Sequence, residues 1–319
     1  MNLEKATKPT FYFIGVTTAQ SSIMKLFPLW AKYLGLDADI KGIDIEIHAE
    51  PEKYRKVVTF LKNDPLSLGA LVTTHKIDLY NAANDIFDEL DPYAQLFGEL
   101  SSISKKDGKL IGHAKDHISS GLAMQNFIPK DFWKNHNGEV FVMGAGGSAI
   151  AITSNLIEDI NGNNRPSKIY VSNRTQSRLD SMRDVISQMS NDVNIKFIKA
   201  DDLTKNDNII SKLKPYSFII NATGLGKDRP GSPLSNDAIF PENSLVWELN
   251  YRGDLLFMHQ ALSQKDEKSL LVEDGWIYFI HGWTQVISEV FHIQLNSEQF
   301  TEIERISSEF NQQKAAAKQ

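Results

Sequence analysis

A run of small residues directly after a short apolar segment is the part of the chain whose spacing points most clearly to chemistry. The apolar segment 140–143 is long enough for a buried strand and too short for a helix. Gly144, Gly146 and Ala149 follow it with the G-x-G-x-x-G/A spacing of a dinucleotide site, where small residues allow a tight turn, close approach to a pyrophosphate and close helix packing. We predict a phosphate-binding loop at a helix N-terminus, with an ordinary glycine-rich turn as the alternative. The predicted loop comprises Gly144, Ala145, Gly146, Gly147 and Ser148.

The next predicted strand, 168–171, is followed by arginines where many dinucleotide sites have an acid. The following residues include Asn173, Arg174, Thr175 and Arg178, with no Asp or Glu among them. A carboxylate at this point accepts hydrogen bonds from the ribose 2′-hydroxyl of NAD, but it would repel a 2′-phosphate. Two guanidinium groups one helical turn apart could neutralise and bond that phosphate. The sequence therefore predicts NADP(H) as the cofactor, and a solvated arginine pair at a helix start is the alternative.

Composition limits the class of protein. The 319 residues predict two domains, each large enough for a core of its own. A formal net charge of -6 gives no indication of a nucleic-acid partner. Because there is no cysteine, disulfides, thiolate nucleophiles and cysteine-ligated zinc are excluded. No apolar run reaches membrane-spanning length and no secretory leader is evident, so we expect a soluble, cytoplasmic protein without a membrane partner.

The elements that must position these residues alternate between strand and helix in the first third of the chain. A hairpin is predicted from two short strands, 98–103 and 108–112, because a polar turn containing Asp107 and Gly108 separates them. The other predicted strands are 10–15, 43–48 and 69–72. The predicted helices are 23–34, 51–63 and 76–87.

The remainder of the chain predicts a second α/β domain and a helical end. A helix is expected to begin near Ser119, and we place the domain boundary between 117 and 118. The segment 275–313 is mostly helical and apolar on one face, so it is expected to pack back on the first domain. The predicted fold class is therefore α/β, with an N-terminal α/β domain, a Rossmann-type domain and C-terminal helices returning to the first. Further strands are predicted at 197–198, 217–221 and 245–249.

A series of short motifs extends over nearly the whole chain. They are Gly15 with Ala19-Gln-Ser-Ser22, Val72-Thr-Thr-His-Lys76, Gly98-Glu-Leu-Ser-Ser102, Asp107-Gly-Lys-Leu-Ile-Gly112 with Asp116, Gly144-Ala-Gly-Gly147, Asn173-Arg-Thr175, Ile220-Asn-Ala-Thr223, Asn250-Tyr251 and Asp274-Gly275. Their order resembles that of the shikimate dehydrogenase family. The resemblance implies a substrate-binding and catalytic domain at 1–117, completed by 276–319, and an NADP-binding domain at 118–275. It also implies hydride transfer between nicotinamide and a carbon that carries a hydroxyl or keto group, in aromatic amino acid biosynthesis or quinate metabolism.

The resemblance assigns the catalytic pair of the family to Lys76 and Asp116. Oxidising a secondary alcohol needs a group that takes the hydroxyl proton as the hydride leaves, and reducing a ketone needs the reverse. A lysine that faces a carboxylate in a partly closed cleft can hold the hydroxyl and polarise the carbonyl. Without the resemblance, Lys76 would be interpreted as a surface lysine at a helix start and Asp116 as a helix cap.

The positions that the resemblance assigns to substrate depart from the family's pattern. The second serine of its Ser-x-Ser motif is Ile23, its usual Asn is Ser101, and its Gln falls near Gly282. Each lost hydroxyl or amide removes a partner for a hydroxylated carboxylate, so we predict a substrate other than shikimate. The implied substrate-binding residues are Ser21, Thr73, Ser101, Tyr251 and Gln285, and the further implied cofactor residues are Thr223 and Gly275.

Two other residue groups suggest ligands of a different kind. His113, Asp116 and His117 carry side chains that bind zinc, but they lie on a crossover and not on one helix face, so no metal is predicted. The aromatic residues of 276–283 could form a ligand-stacking cage, although aromatic residues at helical spacing more often belong to a core.

Two functions therefore follow from the sequence. The first is an NADP-dependent oxidoreductase acting on a small cyclic hydroxy or keto acid, which rests on the retention of Lys76 and Asp116. The second is an NADP(H)-binding regulator or sensor with eroded catalysis, which rests on the altered serine, asparagine and glutamine positions. A small-molecule substrate is the expected partner, and a homodimer is left open.

Overall fold

The computed structural model describes residues 3–158, 161–227 and 229–316, which form two compact units. The first unit runs to Lys115 and resumes at Gly282, and the second is Asp116–His281. Residues 1–2 and 317–319 of the predicted first domain lie outside the described residues. Within the described parts of the chain, no helix is both long and apolar enough to cross a membrane.

A mixed sheet with flanking helices forms the first unit. Its strands are β1 (Thr10–Gly15), β2 (Asp39–Asp44), β3 (Ser67–Val72), β4 (Glu89–Leu90), β5 (Ser102–Lys106) and β6 (Lys109–His113). The helices before the second unit are α1 (Ile23–Leu34), α2 (Pro51–Asn63), α3 (Lys76–Ala83) and α4 (Pro92–Phe97), with 3₁₀ turns at Thr18–Gln20 and Asn84–Ile86. The strand order is β2-β1-β3-β5-β6-β4. β1 runs parallel to β2 and β3, whereas β5 is antiparallel to β3 and β6.

A parallel sheet forms the centre of the second unit. Its strands are β7 (Val140–Met143), β8 (Lys168–Asn173), β9 (Asn194–Lys199), β10 (Phe218–Asn221), β11 (Leu245–Glu248) and β12 (Leu271–Glu273). Its helices are α5 (Asp116–Phe127), α6 (Phe132–Asn135), α7 (Gly147–Ile157), α8 (Gln176–Ser187), α9 (Leu203–Ile210), α10 (Leu256–Leu262) and α11 (Lys265–Lys268). The strand order β12-β11-β10-β7-β8-β9 reverses between β7 and β10. In such doubly wound sheets, ligands bind beyond the carboxyl ends of the strands at that reversal.

The C-terminal helices are α12 (Trp276–Phe291) and α13 (Ser297–Ala316). The part of α12 from Gly282 onward, together with α13, completes the first unit. The Trp30 indole N–H of α1 donates to the Ser307 hydroxyl of α13 at 3.2 Å. The Phe291 ring of α12 lies 5.8 Å from Phe11 and 6.0 Å from Phe27, centroid to centroid. The predicted α/β class, with its Rossmann-type sheet and its C-terminal helices on the first unit, is confirmed.

The strand expected at 43–48 is displaced toward the N-terminus. β2 pairs in register with β1 from Asp39 opposite Thr10 to Asp44 opposite Gly15. Ile43 and Ile45 are buried as their alternation predicts, but the pairing ends at Asp44. The Asp44 carboxylate accepts hydrogen bonds from the Thr18 backbone N–H and hydroxyl at 2.8 and 2.6 Å, so it is drawn toward the neighbouring turn.

Three other predicted boundaries also move. The helix expected at 76–87 ends at Ala83, and the helix expected near Ser119 begins at Asp116. The hairpin forms around Asp107 and Gly108, whose φ angles of 51° and 77° suit the two-residue turn that matches strand twist. Residues 98–101 lie outside the hairpin, because Gly98 ends α4 in the left-handed conformation.

The buried hydroxyl of Ser101 anchors the end of the first unit. It accepts a hydrogen bond from the Lys115 backbone N–H at 2.6 Å and donates to the His113 carbonyl at 3.4 Å. The Lys115 ammonium pairs with Glu289 of α12 in the same unit. Since Lys115 immediately precedes Asp116, these contacts hold the chain where it leaves the first unit.

Replacing Ser101 by alanine is therefore expected to destabilise the protein. Ser101→Ala leaves the buried Lys115 N–H without its acceptor, so the free energy of unfolding should fall by about 1–3 kcal/mol in urea titrations. Ser102→Ala is the matched control, because the Ser102 hydroxyl is fully buried and has no hydrogen-bond partner among the described residues. Equal losses for the two variants would show that Ser101 is not an anchor.

Candidate active site

The backbone turns tightly where β7 ends, beside the carboxyl end of β10. Gly144 has a φ angle of +116°, and a Cβ atom built on it would lie 2.5 Å from the Ala222 carbonyl oxygen. A side chain there would force backbone apart, so only glycine fits this turn. The Gly144 N–H donates to the Ser172 carbonyl at 2.7 Å and thereby ties the turn to β8.

Helix α7 begins directly beyond this turn. Gly146 is its N-cap, and a Cβ atom there would meet no atom within 4 Å, so the backbone borders open space. Ser148 is half-buried in the first turn, whereas Ala149 is fully buried. The first turn contains no acidic residue. The free N–H groups and the positive end of the helix dipole can therefore receive an anion.

A cavity of about 470 Å³ lies at this edge of the second sheet. Its walls come from the segments that follow β7, β8, β9 and β10. Three predicted cofactor residues, Gly147, Ser148 and Gly275, are not among those that line it. Eight predicted cofactor residues do line it: Gly144, Ala145, Gly146, Asn173, Arg174, Thr175, Arg178 and Thr223.

Arg174 and Arg178 supply positive charge to one wall of this cavity. Arg174 follows β8, and Arg178 lies in the first turn of α8. Asn173, the last residue of β8, donates from its side-chain amide to the Thr175 carbonyl at 3.1 Å and shapes the turn. Both arginines are exposed, and neither has a salt-bridge partner among the described residues. Arg183 of the same helix differs, because it pairs with Asp180 at 2.7 Å.

The sequence interpretation did not include the residues that close the cavity on its other sides. Arg229, in the segment after β10, adds a third guanidinium group to the lining. Asp201, Asp202 and Asn206 come from the segment after β9, where Asp202 caps α9 by accepting from the Lys205 N–H. The position of these acids after the strand predicted at 197–198, which lies within β9, was the available signal.

A buried acid, Glu248, stabilises the loop after β10 through Asn221. The Asn221 side-chain oxygen accepts from the Thr223 N–H and hydroxyl at 3.1 and 2.6 Å, and its amide donates to Glu248 at 2.8 Å. Burial raises the pKa of Glu248 to about 7, although hydrogen bonds from Asn250 and Asn221 oppose this shift.

Gly275 and Tyr251 lie beside the end of β11. A Cβ atom on Gly275 would lie 1.9 Å from the Leu249 carbonyl oxygen, so the start of α12 packs directly on backbone. The Tyr251 ring lies 5.5 Å from Trp276 and 4.7 Å from Phe279, which stack on each other at 5.1 Å. These three half-buried rings form one aromatic cluster, whereas Trp283 lies in the core of the first unit.

Lys76 is the first residue of α3 and follows a strained turn. Thr74 has a φ angle of 63°, which is rare for a β-branched residue. His75 is fully buried, and its Nδ1 lies 3.1 Å from the Tyr54 hydroxyl. Burial lowers the pKa of His75, so its imidazole is neutral at physiological pH. Thr73 and Lys76 on either side are half-buried.

Asp116 begins α5 in the second unit and is only 8% exposed. The adjacent His117 pairs with Glu158 at 2.7 Å, and His113, in the first unit, lies 2.9 Å from the Ser104 hydroxyl. Among the described residues, no group of three or more His, Cys, Asp or Glu side chains could hold a metal ion.

The remaining predicted substrate residues have different surroundings. Ser21 and Gln285 are half-buried in the first unit. Ile23, at the position of the missing hydroxyl, is fully buried in α1. The Ser101 hydroxyl is occupied by its backbone contacts to Lys115 and His113.

Comparison with known proteins identifies relatives of one kind. No family model matches the chain. The shikimate dehydrogenase (NADP(+)) of Lactococcus lactis subsp. cremoris strain MG1363 is 29% identical over 227 residues, which cover 71% of this chain and 74% of that protein. The protein of the same name from Streptococcus thermophilus is 33% identical over 184 residues, which cover 56% of this chain and 58% of that protein.

Solved structures match the fold over nearly the full length. Quinate dehydrogenase from Corynebacterium glutamicum in complex with NAD superposes with a TM-score of 0.74 at 18% identity, covering 96% of this chain and 99% of that one. Shikimate 5-dehydrogenase from Thermus thermophilus, in complex with NADP(H) and shikimate, has a TM-score of 0.67 at 21% identity and covers 93% and 99%. Sequence relatives and fold agree with the order of motifs along the chain, so the resemblance to the shikimate dehydrogenase family is confirmed.

Proposed function

We propose that this protein is an NADP-dependent oxidoreductase that interconverts a hydroxyl and a keto group on a small cyclic carboxylic acid. The observation that carries the proposal is the cavity at the reversal of the second sheet, with Arg174 and Arg178 on its wall and no acid directly after β8. Relatives named for NADP(+), and a similar fold solved with NADP(H) and shikimate, support the same cofactor class.

The residues of the cavity fit a dinucleotide with a 2′-phosphate. Arg174 and Arg178 would hold that phosphate by charge-assisted hydrogen bonds, and the N-terminus of α7 would receive the pyrophosphate. Arg229 adds positive charge to the same cavity. When bound, the nicotinamide supplies or accepts the hydride.

Proton transfer is proposed for Lys76 and Asp116. In the direction of reduction, the Lys76 ammonium donates a hydrogen bond to the substrate carbonyl oxygen and then its proton, as that oxygen gains negative charge. The Asp116 carboxylate would accept a hydrogen bond from the substrate hydroxyl and so orient the reacting group. The strained Thr74 turn just before Lys76 supports this role, because strained backbone is concentrated at functional sites.

A substrate related to shikimate or quinate, but different from shikimate, is proposed. The two structural neighbours named above carry those names. The hydroxyl of Ser101 is committed to the backbone, and Ile23 offers no hydrogen bond, so the polar contacts available to a polyhydroxylated acid are reduced. Assays of shikimate, quinate and related cyclic acids with NADP(H), followed at the nicotinamide absorbance band, test the proposal. NADPH binding without turnover of any such acid would favour the regulatory alternative.

Removal of Arg174 should weaken binding of NADPH far more than binding of NADH. Loss of one charge-assisted contact to the 2′-phosphate is expected to raise the dissociation constant of NADPH about 10- to 100-fold. NADH has no such phosphate, so its dissociation constant should change less than about twofold. Titration of cofactor fluorescence measures both constants. Arg183→Ala, on the same helix and paired with Asp180, is the matched control and should alter neither. Equal losses for NADPH and NADH in Arg174→Ala would contradict the phosphate assignment.

Substitution of the proposed proton-transfer residues should reduce turnover without removing the cofactor. Lys76→Met and Asp116→Asn are each expected to lower kcat about 100- to 10,000-fold, while the dissociation constant of NADPH stays within about threefold. Steady-state kinetics with the best substrate and a separate NADPH titration measure the two effects. The exposed Lys25 of α1 provides a control, and Lys25→Met should retain full activity. Full activity in Lys76→Met would exclude its catalytic role.

A further inference from the structure

Glu248, at the end of β11, is fully buried, and its recorded hydrogen-bond partners are all donors. The Asn221 amide donates to Oε2 at 2.8 Å. Asn250 donates to Oε1 twice, from its backbone N–H at 2.9 Å and from its side-chain amide at 2.6 Å. No cation pairs with Glu248 among the described residues, and Asp274, after β12, is the charged group that acts on it.

The same two asparagines build the loop that lines the cavity. Asn221 accepts from the N–H and the hydroxyl of Thr223, and that hydroxyl accepts from the Leu225 N–H at 3.2 Å. The side-chain amides of Asn221 and Asn250 both donate to the Leu225 carbonyl, at 3.3 and 3.1 Å. Thr223 and Leu225 are part of the cavity lining, so Glu248 is connected to the cavity through two hydrogen-bonded routes.

We propose, on the basis of the cofactor site proposed above, that Glu248 is a positioning residue of that site. Its ionised carboxylate holds the loop from Asn221 to Leu225 in the shape that receives the nicotinamide half of the dinucleotide, and protonation releases that loop. The topology of the second sheet indicates that this loop faces the nicotinamide half of the dinucleotide. Arg174 and Arg178 follow β8 in one mononucleotide-binding half of the sheet, whereas Glu248 ends β11 and this loop follows β10 in the other.

A neutral Glu248 holds these donors less strongly. Oε2 accepts only from the Asn221 amide, so it has a lone pair for the proton, but the groups that bond Glu248 are all donors and offer the new O–H no acceptor. Turning the Asn221 amide to accept that O–H would remove the acceptor of Thr223, and turning the Asn250 amide would remove its donation to Leu225. Because hydrogen bonds to an ionised carboxylate are stronger than those to a neutral group, protonation weakens the contacts that shape the loop.

The charge state of Glu248 changes near neutral pH. Burial, with a smaller contribution from the Asp274 charge, raises the pKa of Glu248 from 4.5 to about 7, against hydrogen bonds from Asn250 and Asn221. The native protein therefore binds this proton more tightly than the unfolded chain does. It follows that Glu248 lowers the free energy of unfolding as the pH rises from 4.5 to about 7, while the loop becomes ordered for the cofactor.

To test the proposal, the dissociation constant of NADPH is measured from pH ~6 to pH ~8.5 for the wild type, Glu248→Gln and Glu248→Asp. The 2′-phosphate of NADPH titrates near pH ~6 and affects all three proteins alike, so the difference between profiles isolates residue 248. From pH 8 to pH 6, wild-type affinity should fall at least about fivefold more than that of Glu248→Gln. Glu248→Asp keeps the charge and should retain the pH dependence. Glu273→Gln is the matched control, because burial also raises the pKa of Glu273, and it should have the wild-type profile.

Unfolding in urea at pH 5 and pH 8 gives a readout that does not depend on the cofactor. From pH 5 to pH 8, the free energy of unfolding of the wild type should fall relative to that of Glu248→Gln. Equal pH profiles for NADPH in the wild type and Glu248→Gln would overturn the positioning role, even if both bind NADPH tightly. Absence of NADPH binding by the wild type at every pH would instead overturn the proposed function together with the inference. A pH dependence of stability that is identical in the two proteins would show that Glu248 does not titrate as argued.

Discussion

The second unit of this protein depends on direct contact between two backbone segments. Gly144 at the end of β7 lies so close to the Ala222 carbonyl at the end of β10 that a Cβ atom would reach to 2.5 Å. This contact joins the turns after the two strands at the point where strand order reverses. The cavity opens there because both turns are formed by backbone and small residues. A similar close backbone contact occurs at Gly275, beside the end of β11, where α12 begins.

Charge is distributed unevenly around this framework. The chain has a formal net charge of -6, yet three guanidinium groups, those of Arg174, Arg178 and Arg229, line a single cavity. Glu248, buried at the end of β11, is stabilised by amide donors, and no cation pairs with it among the described residues. The arginines of the cavity and the buried carboxylate therefore follow or end different strands. In the proposed role of Glu248, a proton on its carboxylate alters the loop and leaves the charge of the arginines unchanged.

Local sequence patterns were sufficient for the parts of the fold that depend on neighbouring residues. The apolar run before Gly144, the small residues after it and the arginines after β8 all lie within short segments, and the structure brings Gly144, Ala145, Gly146, Arg174 and Arg178 to one cavity. Patterns failed where a boundary depends on a distant partner. β2 ends at Asp44, where its pairing with β1 ends. No local pattern shows that the Ser101 hydroxyl accepts a hydrogen bond from the Lys115 backbone N–H.

By itself, the sequence determined the α/β class, the glycine turn after β7 and the resemblance to the shikimate dehydrogenase family, because short motifs and their order carry this information. Only the tertiary structure decided that Arg229, Asp201 and Asp202 share a cavity with Arg174, and that Glu248 is surrounded by donors. Asn221 and Glu248 are 27 residues apart, and no local pattern encodes their contact. Burial and hydrogen-bond partners are properties of the packed chain, so they arise only when distant segments come together.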